Sequence, residues 1–221
     1  MIRYLAKFVT KEAYADDLLN GKLFMHCGKY YHDLEKKCGP GQGDIREGAI
    51  LSNTAIYKNI YYPIYCMYII RDEDISDGLV VIDRRVIRDF DCQGGFMVLI
   101  PFDYFTEVLK KADSNGYKLA GTEVWYGYTT INDLDKVINS NNALSLGIKH
   151  PHFQYQKEYR LIIYKDIYQD GFPNSLKEER PYVCYLKETI KGVAKKIPIN
   201  SLKVTENGYV LNLIDVFGNK D

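Results

Sequence analysis

Neither sign of charge prevails in this chain: 29 basic residues meet 29 acidic ones over 221 positions, for a formal net charge of zero. Such a balance creates no long-range field favouring DNA, RNA or an anionic membrane over any other partner. Long apolar runs are missing as well. No window approaches the roughly eighteen uncharged apolar positions of a membrane helix. In "MIRYLAKFVTKEAY", Lys7 and Lys11 stand where a signal peptide would carry its apolar region. The expectation is a soluble, cytoplasmic chain with no membrane partner. Cysteine is scarce and odd in number. Cys27, Cys38, Cys66, Cys92 and Cys184 are widely scattered in a chain long enough to bury its own core, which argues against a disulfide framework.

Several chemistries lack their signatures. No G-x-S-x-G elbow surrounds Ser52, Ser76, Ser114 or Ser145. The glycines of "GPGQG" are followed neither by the lysine nor by the helix of a phosphate-binding loop. No nucleic-acid module is recognisable, and the tyrosine-rich "KNIYYPIYCMY" reads as sheet rather than as a base-stacking platform. His26, Cys27, His32 and Cys38 are ligand types suited to zinc, but they lack C-x-x-C spacing, and adjacent residues of a strand face opposite ways. No metal is expected. His150 and His152 share a face if extended, and are read as a solvent-facing turn with ligand contact as the alternative.

What the chain does have is tyrosine, twenty of them, a residue that favours half-buried strands, pockets and interfaces. It also has many short strand patterns and few helical ones. "RYLAKFV" reads as a strand, and "TKEAYADDLLNGKL" as a helix capped by Thr10 and stopped at Asn20-Gly21. "LFMHCGKYY" resumes an extended run, and "KKCGPGQGDIREG" is a glycine-rich loop. "YYPIYCMYII" is a strand in which Pro63 belongs at the start or on an edge. "GLVVID" and "GGFMVLIP" are expected to lie together in a central sheet, and "FDYFTEVLKKADSNGY" to form the second helix. "KLAGTEVWYGY" reads as one strand and "INDLDKVINSN" as a short helix. "EYRLIIYKD" and "YVCYLKE" are expected strands flanking a polar hairpin excursion, and "IPINSLKVTENGYVLNLIDV" strands around Asn207-Gly208. The economical fold class is α+β, a mostly antiparallel sheet with a few packed helices, in one domain spanning 1–221.

The stretch that points at chemistry is "FQYQKEYRLIIY". If extended from Gln156, the chain places Gln156, Glu158 and Arg160 on one face. A carboxylate beside a neutral amide can accept a hydrogen bond from a hydroxyl and stabilise a developing cation. Arg160 competes for the same carboxylate through a structural ion pair, and that reading stays open. A glycine-rich "GDIREG" loop near Glu158 would let Arg46 pair with a phosphate; otherwise its charges face water.

This Gln-x-Glu element resembles the glutamine or glutamate, any residue, glutamate motif of ADP-ribosyltransferases. The N-terminal order of strand, helix, Gly21 and strand is similar to the opening of that fold. The resemblance implies NAD as substrate, with Glu158 orienting the nicotinamide-side ribose and stabilising oxocarbenium character, and Gln156 positioning the ribose or the acceptor. It further implies Arg3 on the first strand as a phosphate or ribose contact, Thr129 with Thr130 at the middle Ser/Thr motif, Arg160 beside the cofactor, and tyrosines on the nicotinamide. Over more of its length, "YLAKF", "YADDLLNGKLFM", "GQGDIREGAI" and "YQKEYRLII" together look like a group of uncharacterised proteins of bacterial and phage genomes. That likeness joins Asp44 and Glu47 to Gln156, Glu158 and Arg160 as one candidate constellation. The competing expectation is a non-enzymatic protein of a phage or mobile element, docking a protein partner through its tyrosine-rich surface.

Overall fold

The computed structural model describes residues 1–27, 30, 31, 34, 62–112, 118–127, 146–164 and 181–218. The expectations for the loop 36–48, His32, Cys38, Thr129-Thr130 and the segment 131–141 lie outside the described residues.

The chain runs β1 (Ile2–Val9), α1 (Glu12–Leu19), β2 (Lys22–Cys27), β3 (Pro63–Arg71), β4 (Ile75–Ser76) and β5 (Leu79–Ile82). It continues through α2 (Arg84–Asp89), β6 (Phe96–Pro101), α3 (Phe102–Leu109), β7 (Lys118–Glu123), β8 (Trp125–Tyr126) and β9 (Ile148–Lys149). A 3-10 turn over Pro151–Gln156 leads into β10 (Glu158–Tyr164), followed by β11 (Tyr182–Tyr185), β12 (Lys195–Pro198), β13 (Lys203–Val204), β14 (Tyr209–Asn212) and α4 (Leu213–Phe217). The fold is α+β and mostly antiparallel, as the alternation of short strand patterns implied.

An eight-stranded sheet forms the middle layer. Its strands follow the path β12-β6-β1-β3-β10-β7, all antiparallel, and the β2–β11 pair joins at β3. One face is covered by the two longer helices: Ala15, Leu18 and Leu19 of α1 and Phe105 and Val108 of α3 pack on Leu5, Met67, Ile69, Tyr159, Leu161 and Ile163. The other face takes a four-stranded sheet, β13-β14-β5-β4, together with α2. Each fully buried leucine or isoleucine here, such as Leu5 or Ile70, contributes about 1.5–3 kcal/mol relative to exposure.

Local chemistry sets several boundaries. Asp83 caps α2 by accepting from the Arg85 N–H at 2.8 Å, and Arg88 sits in its last turn, where cations complement the helix dipole. Gly21 closes α1 at φ 85°, and a Cβ there would meet the Glu188 carbonyl at 3.0 Å. Pro63 opens β3, the position that asks no ladder hydrogen bond of it.

Five expectations are corrected. β5 and β6 belong to different sheets: β5 alternates exposed and buried, as a one-sided sheet requires, whereas Met97 to Ile100 of β6 are buried on both faces. β10 and β11 form no hairpin, since β10 pairs with β3 and β7 and β11 pairs with β2. Lys11, not Thr10, is the N-cap of α1, and no side chain caps it. Residues 213–217 are helical rather than extended, because Asn212 Oδ1 accepts the Ile214 N–H and starts a turn. "KLAGTEVWYGY" breaks at Val124 into two strands with different partners, β7 pairing with β10 and β8 with β9.

Candidate functional site

β3 has one edge shared by two strands. Tyr68 is opposite Ala6 of β1 on that edge and Glu158 of β10 on the other; Ile64 is opposite His26 of β2 and Ile162 of β10. β1 and β2 therefore lie parallel to one another along the same edge and part company between Ile64 and Tyr68. Lys7 reaches into this fork, its Nζ donating to the Cys66 carbonyl at 2.8 Å, where a neighbouring strand would otherwise bond. A cavity of about 320 Å³ opens at the fork. Its wall combines Lys7, Lys149, Arg160, Glu158 and Gln156 with Tyr14, His26, Tyr30 and Tyr31.

Arg160 and Glu158 lie on the β10 face that carries Ile162, one strand away from Cys66 and Tyr68. The charged pair thus fills the gap between an apolar cluster at Ile64, Ile162 and Leu146 and the larger cluster that includes Tyr68 and Ile70. Four polar groups of Glu158 are engaged. Its N–H donates to the Tyr126 hydroxyl at 2.8 Å, and its carbonyl accepts from Val124. Its Oε1 accepts from Lys149 Nζ at 2.6 Å, and its Oε2 from Arg160 Nε at 2.8 Å. Arg160 in turn donates to the Leu146 carbonyl at 2.5 Å. Apart from Arg160, these partners come from the short parallel ribbon β8–β9 and the residues flanking it.

The network extends further. Lys149 Nζ also donates to Gln156 Oε1 at 2.7 Å, and Gln156 Nε2 is 3.4 Å from the Tyr155 hydroxyl, which donates to Asp89. Asp89, Lys149, Gln156, Glu158 and Arg160 are the buried polar and charged residues among those described, and all five belong to this one chain of contacts. Buried charges that are mutually satisfied hold their geometry; removing one partner strands the others.

Burial alone would push the Glu158 carboxyl up, but the Arg160 guanidinium and the Lys149 ammonium outweigh it and hold the group below the usual carboxylate range. Burial lowers the Lys7 ammonium, against the pull of Cys66, Cys92 and Glu158. It lowers His26 too, with Lys7 adding to the effect. His26 stacks on Tyr30 at 3.8 Å between ring centroids, and its buried Nδ1 has no hydrogen-bond partner among the described residues. Burial also raises the Cys92 thiol to about 11.

The expected shared face of Gln156 and Glu158 arises differently from the way the spacing implied. β10 begins at Glu158, Gln156 ends the 3-10 turn, and Lys157 between them is left-handed at φ 39°, ψ 56°. Two residues apart on either side of that kink, the amide and the carboxylate meet at the same ammonium. The competing ion pair between Glu158 and Arg160 is present. Arg3 lies elsewhere: it is exposed, at the irregularity of β1 between Ile2 and Tyr4, and it does not line the cavity. His150 Nδ1 accepts from the His152 N–H at 3.2 Å, fixing the start of the 3-10 turn outside the cavity.

Lys7, Lys149, Tyr126 and the Tyr155–Asp89 pair were missed in the sequence. Lys7 had left a signal, a lysine between Ala6 and Phe8 in an otherwise apolar strand interior. Lys149 had left none beyond its nearness to Gln156. Among the described residues no group of three or more His, Cys, Asp or Glu side chains is placed to hold a metal ion. No described helix is long and apolar enough to cross a membrane.

Comparison of the chain with protein-family models, curated proteins and solved structures returned no match.

Proposed function

We propose that the chain acts on NAD at the forked-sheet cavity, breaking the bond between nicotinamide and ribose in the manner of an ADP-ribosyltransferase. The observation that carries this reading is a buried carboxylate, Glu158, that lines a cavity and is kept ionised by two cations. An ionised carboxylate accepts a hydrogen bond from a ribose hydroxyl and stabilises positive charge developing at C1′ as nicotinamide leaves. Gln156, held by the same Lys149, positions the ribose or the acceptor. Arg160 is wholly buried and bound to Glu158 and to Leu146, so its part is to orient the carboxylate. Among the described residues of the wall, Lys149 and Arg160 outnumber the single carboxylate, Glu158, a surplus that suits a ligand carrying phosphate. The volume lies at the lower end for small-ligand pockets, roughly 300–1,000 Å³, and suits the nicotinamide-ribose half rather than the whole dinucleotide. The tyrosines supply stacking surface for the pyridinium.

The test is nicotinamide release from NAD by the wild type, Glu158→Gln and Gln156→Ala, with folding of each checked by near-ultraviolet dichroism. Loss of release in folded Glu158→Gln supports the reading. Equal rates in wild type and Glu158→Gln, or no release by the wild type, remove it.

A second reading, a non-enzymatic protein of a phage or mobile element that docks a protein partner, is favoured by a different observation. Phe24 and Tyr185 stand 47% and 54% exposed on the outer face of the β2–β11 ribbon. Aromatic side chains displayed in this way are the usual anchors of protein interfaces. A pull-down that retains a partner with the wild type and loses it with Phe24→Ser/Tyr185→Ser, together with absent NAD cleavage, would select this reading.

A further inference from the structure

We infer that Lys7 is an amine nucleophile of this cavity and the acceptor of the proposed transfer, so that the chain ADP-ribosylates itself at Lys7. The inference rests on the NAD reading above and names the acceptor that reading leaves open.

Among the described residues, two lysines line the cavity, and their surroundings divide them. Lys149 shares its ammonium between Glu158 and Gln156 at 2.6 and 2.7 Å, an arrangement that occupies its nitrogen. Lys7 has no carboxylate partner among the described residues. Its contacts are one neutral carbonyl, that of Cys66 at 2.8 Å, and the face of Tyr65, with Nζ 4.3 Å from the ring centroid. A single hydrogen bond donated to a carbonyl anchors an amine while leaving its lone pair free. Burial favours that neutral amine, and Glu158, the carboxylate among the described residues that pulls against it, is already paired with Lys149 and Arg160. Lys7 also sits at the fork itself, where the sheet gives the side chain room to meet a ligand and Glu158 and Gln156 form part of the same wall.

The step balances without another reactant. The Nζ lone pair forms a bond to ribose C1′, the C1′–N bond to the pyridinium breaks, and its electron pair leaves on neutral nicotinamide. One proton passes from Nζ to solvent, so the positive charge of the pyridinium ends on that proton. Nothing is oxidised or reduced.

The experiment incubates the full chain with NAD, then reads intact mass, peptide-mapped modification and nicotinamide release together, for the wild type, Lys7→Arg and Lys149→Arg. The expected result is one ADP-ribosyl group per chain, mapped to Lys7, and no modification of Lys7→Arg. Nicotinamide release with no protein adduct, or with the adduct on another residue, overturns the inference and leaves NAD cleavage standing. No release by the wild type overturns both. Competitive labelling with acetic anhydride at pH 7 tests the amine without NAD. Lys7 should be acetylated several-fold faster than the exposed Lys110 and Lys191, and a rate no greater than theirs overturns its role as nucleophile.

Discussion

Lys149 Nζ stands 2.6 Å from Glu158 Oε1 and 2.7 Å from Gln156 Oε1, so one ammonium holds the carboxylate and the amide of the Gln-x-Glu element together across a left-handed backbone kink. Both partners are buried, and so is the lysine. Replacing Lys149 with methionine would remove one of the two cations that hold the Glu158 carboxylate and the Lys149 contact of Gln156. Breaking a buried pair by removing one partner costs about 3–5 kcal/mol, and urea denaturation of Lys149→Met should show a loss of that size. Lys149→Arg, which keeps a cation, should recover part of it.

The same cluster sets an acid limit on stability. Glu158 has a depressed pKa in the folded state, so its contribution is fully present above the unfolded value of ~4.3 and is lost as pH falls through the lower folded value. Unfolding free energy measured from pH 6 down to pH 2 should fall more steeply for the wild type than for Glu158→Gln. Parallel curves would mean that the carboxylate is not held by its two cations.

Lys7 acts in the same direction at higher pH. Its pKa is lowered by burial, so the unfolded chain binds the extra proton between the folded value and the unfolded one near 10.4. Stability of the wild type relative to Lys7→Met should therefore rise with pH across that window and level off above it. A flat difference would show an ammonium as well solvated as in the unfolded chain.

Gly121 of β7 lies under the Tyr159 side chain, where an added Cβ would be 2.8 Å from the ring carbon bearing the hydroxyl. Gly121→Ala should cost on the order of 1–3 kcal/mol through overpacking. Because Tyr159 is adjacent to Glu158, the variant should also shift the Glu158 amide resonance in a nitrogen–proton correlation spectrum.

Tyr126→Phe removes the hydroxyl that accepts the Glu158 N–H. A buried donor left without a partner costs about 1–3 kcal/mol, and hydrogen exchange should accelerate at the Glu158 amide more than at Leu161 or Ile163 farther along β10.

Much of the strand content was legible because its patterns are local. The apolar runs of β1, β3, β6 and β10, the Asn20-Gly21 stop and the Asn207-Gly208 turn each declare themselves within about ten residues. Partnership was not legible in the same way. Nothing within "GLVVID" or "GGFMVLIP" states that they enter different sheets, because that depends on which face each strand has covered by distant residues. Nor does any local pattern say that β10 finds β3 and β7 rather than β11. The candidate site divides along the same line. Glu158 and Arg160, two apart on one strand, could be paired from their spacing alone. Lys149 could not, because its reach to Gln156 and Glu158 depends on the 3-10 turn and on the positive φ of Lys157. Lys7 is a further case: a lysine in an apolar strand is visible as an anomaly, but its meaning requires the fork made by β1 and β2 on one edge of β3.

The left-handed backbone at position 157 has a consequence for how this sequence can drift. Glycine, asparagine and aspartate adopt that conformation with least strain, yet the position is lysine, and its Nζ meets Asp74 Oδ1 at 2.5 Å while its carbonyl accepts the Ile69 N–H at 2.7 Å. Position 157 is therefore bound to position 74 by charge and to its own conformation by strain. Among divergent copies of this chain, loss of the acid at 74 should be accompanied by glycine or asparagine at 157, so that the two sites would be inherited as a linked pair although they lie 83 residues apart.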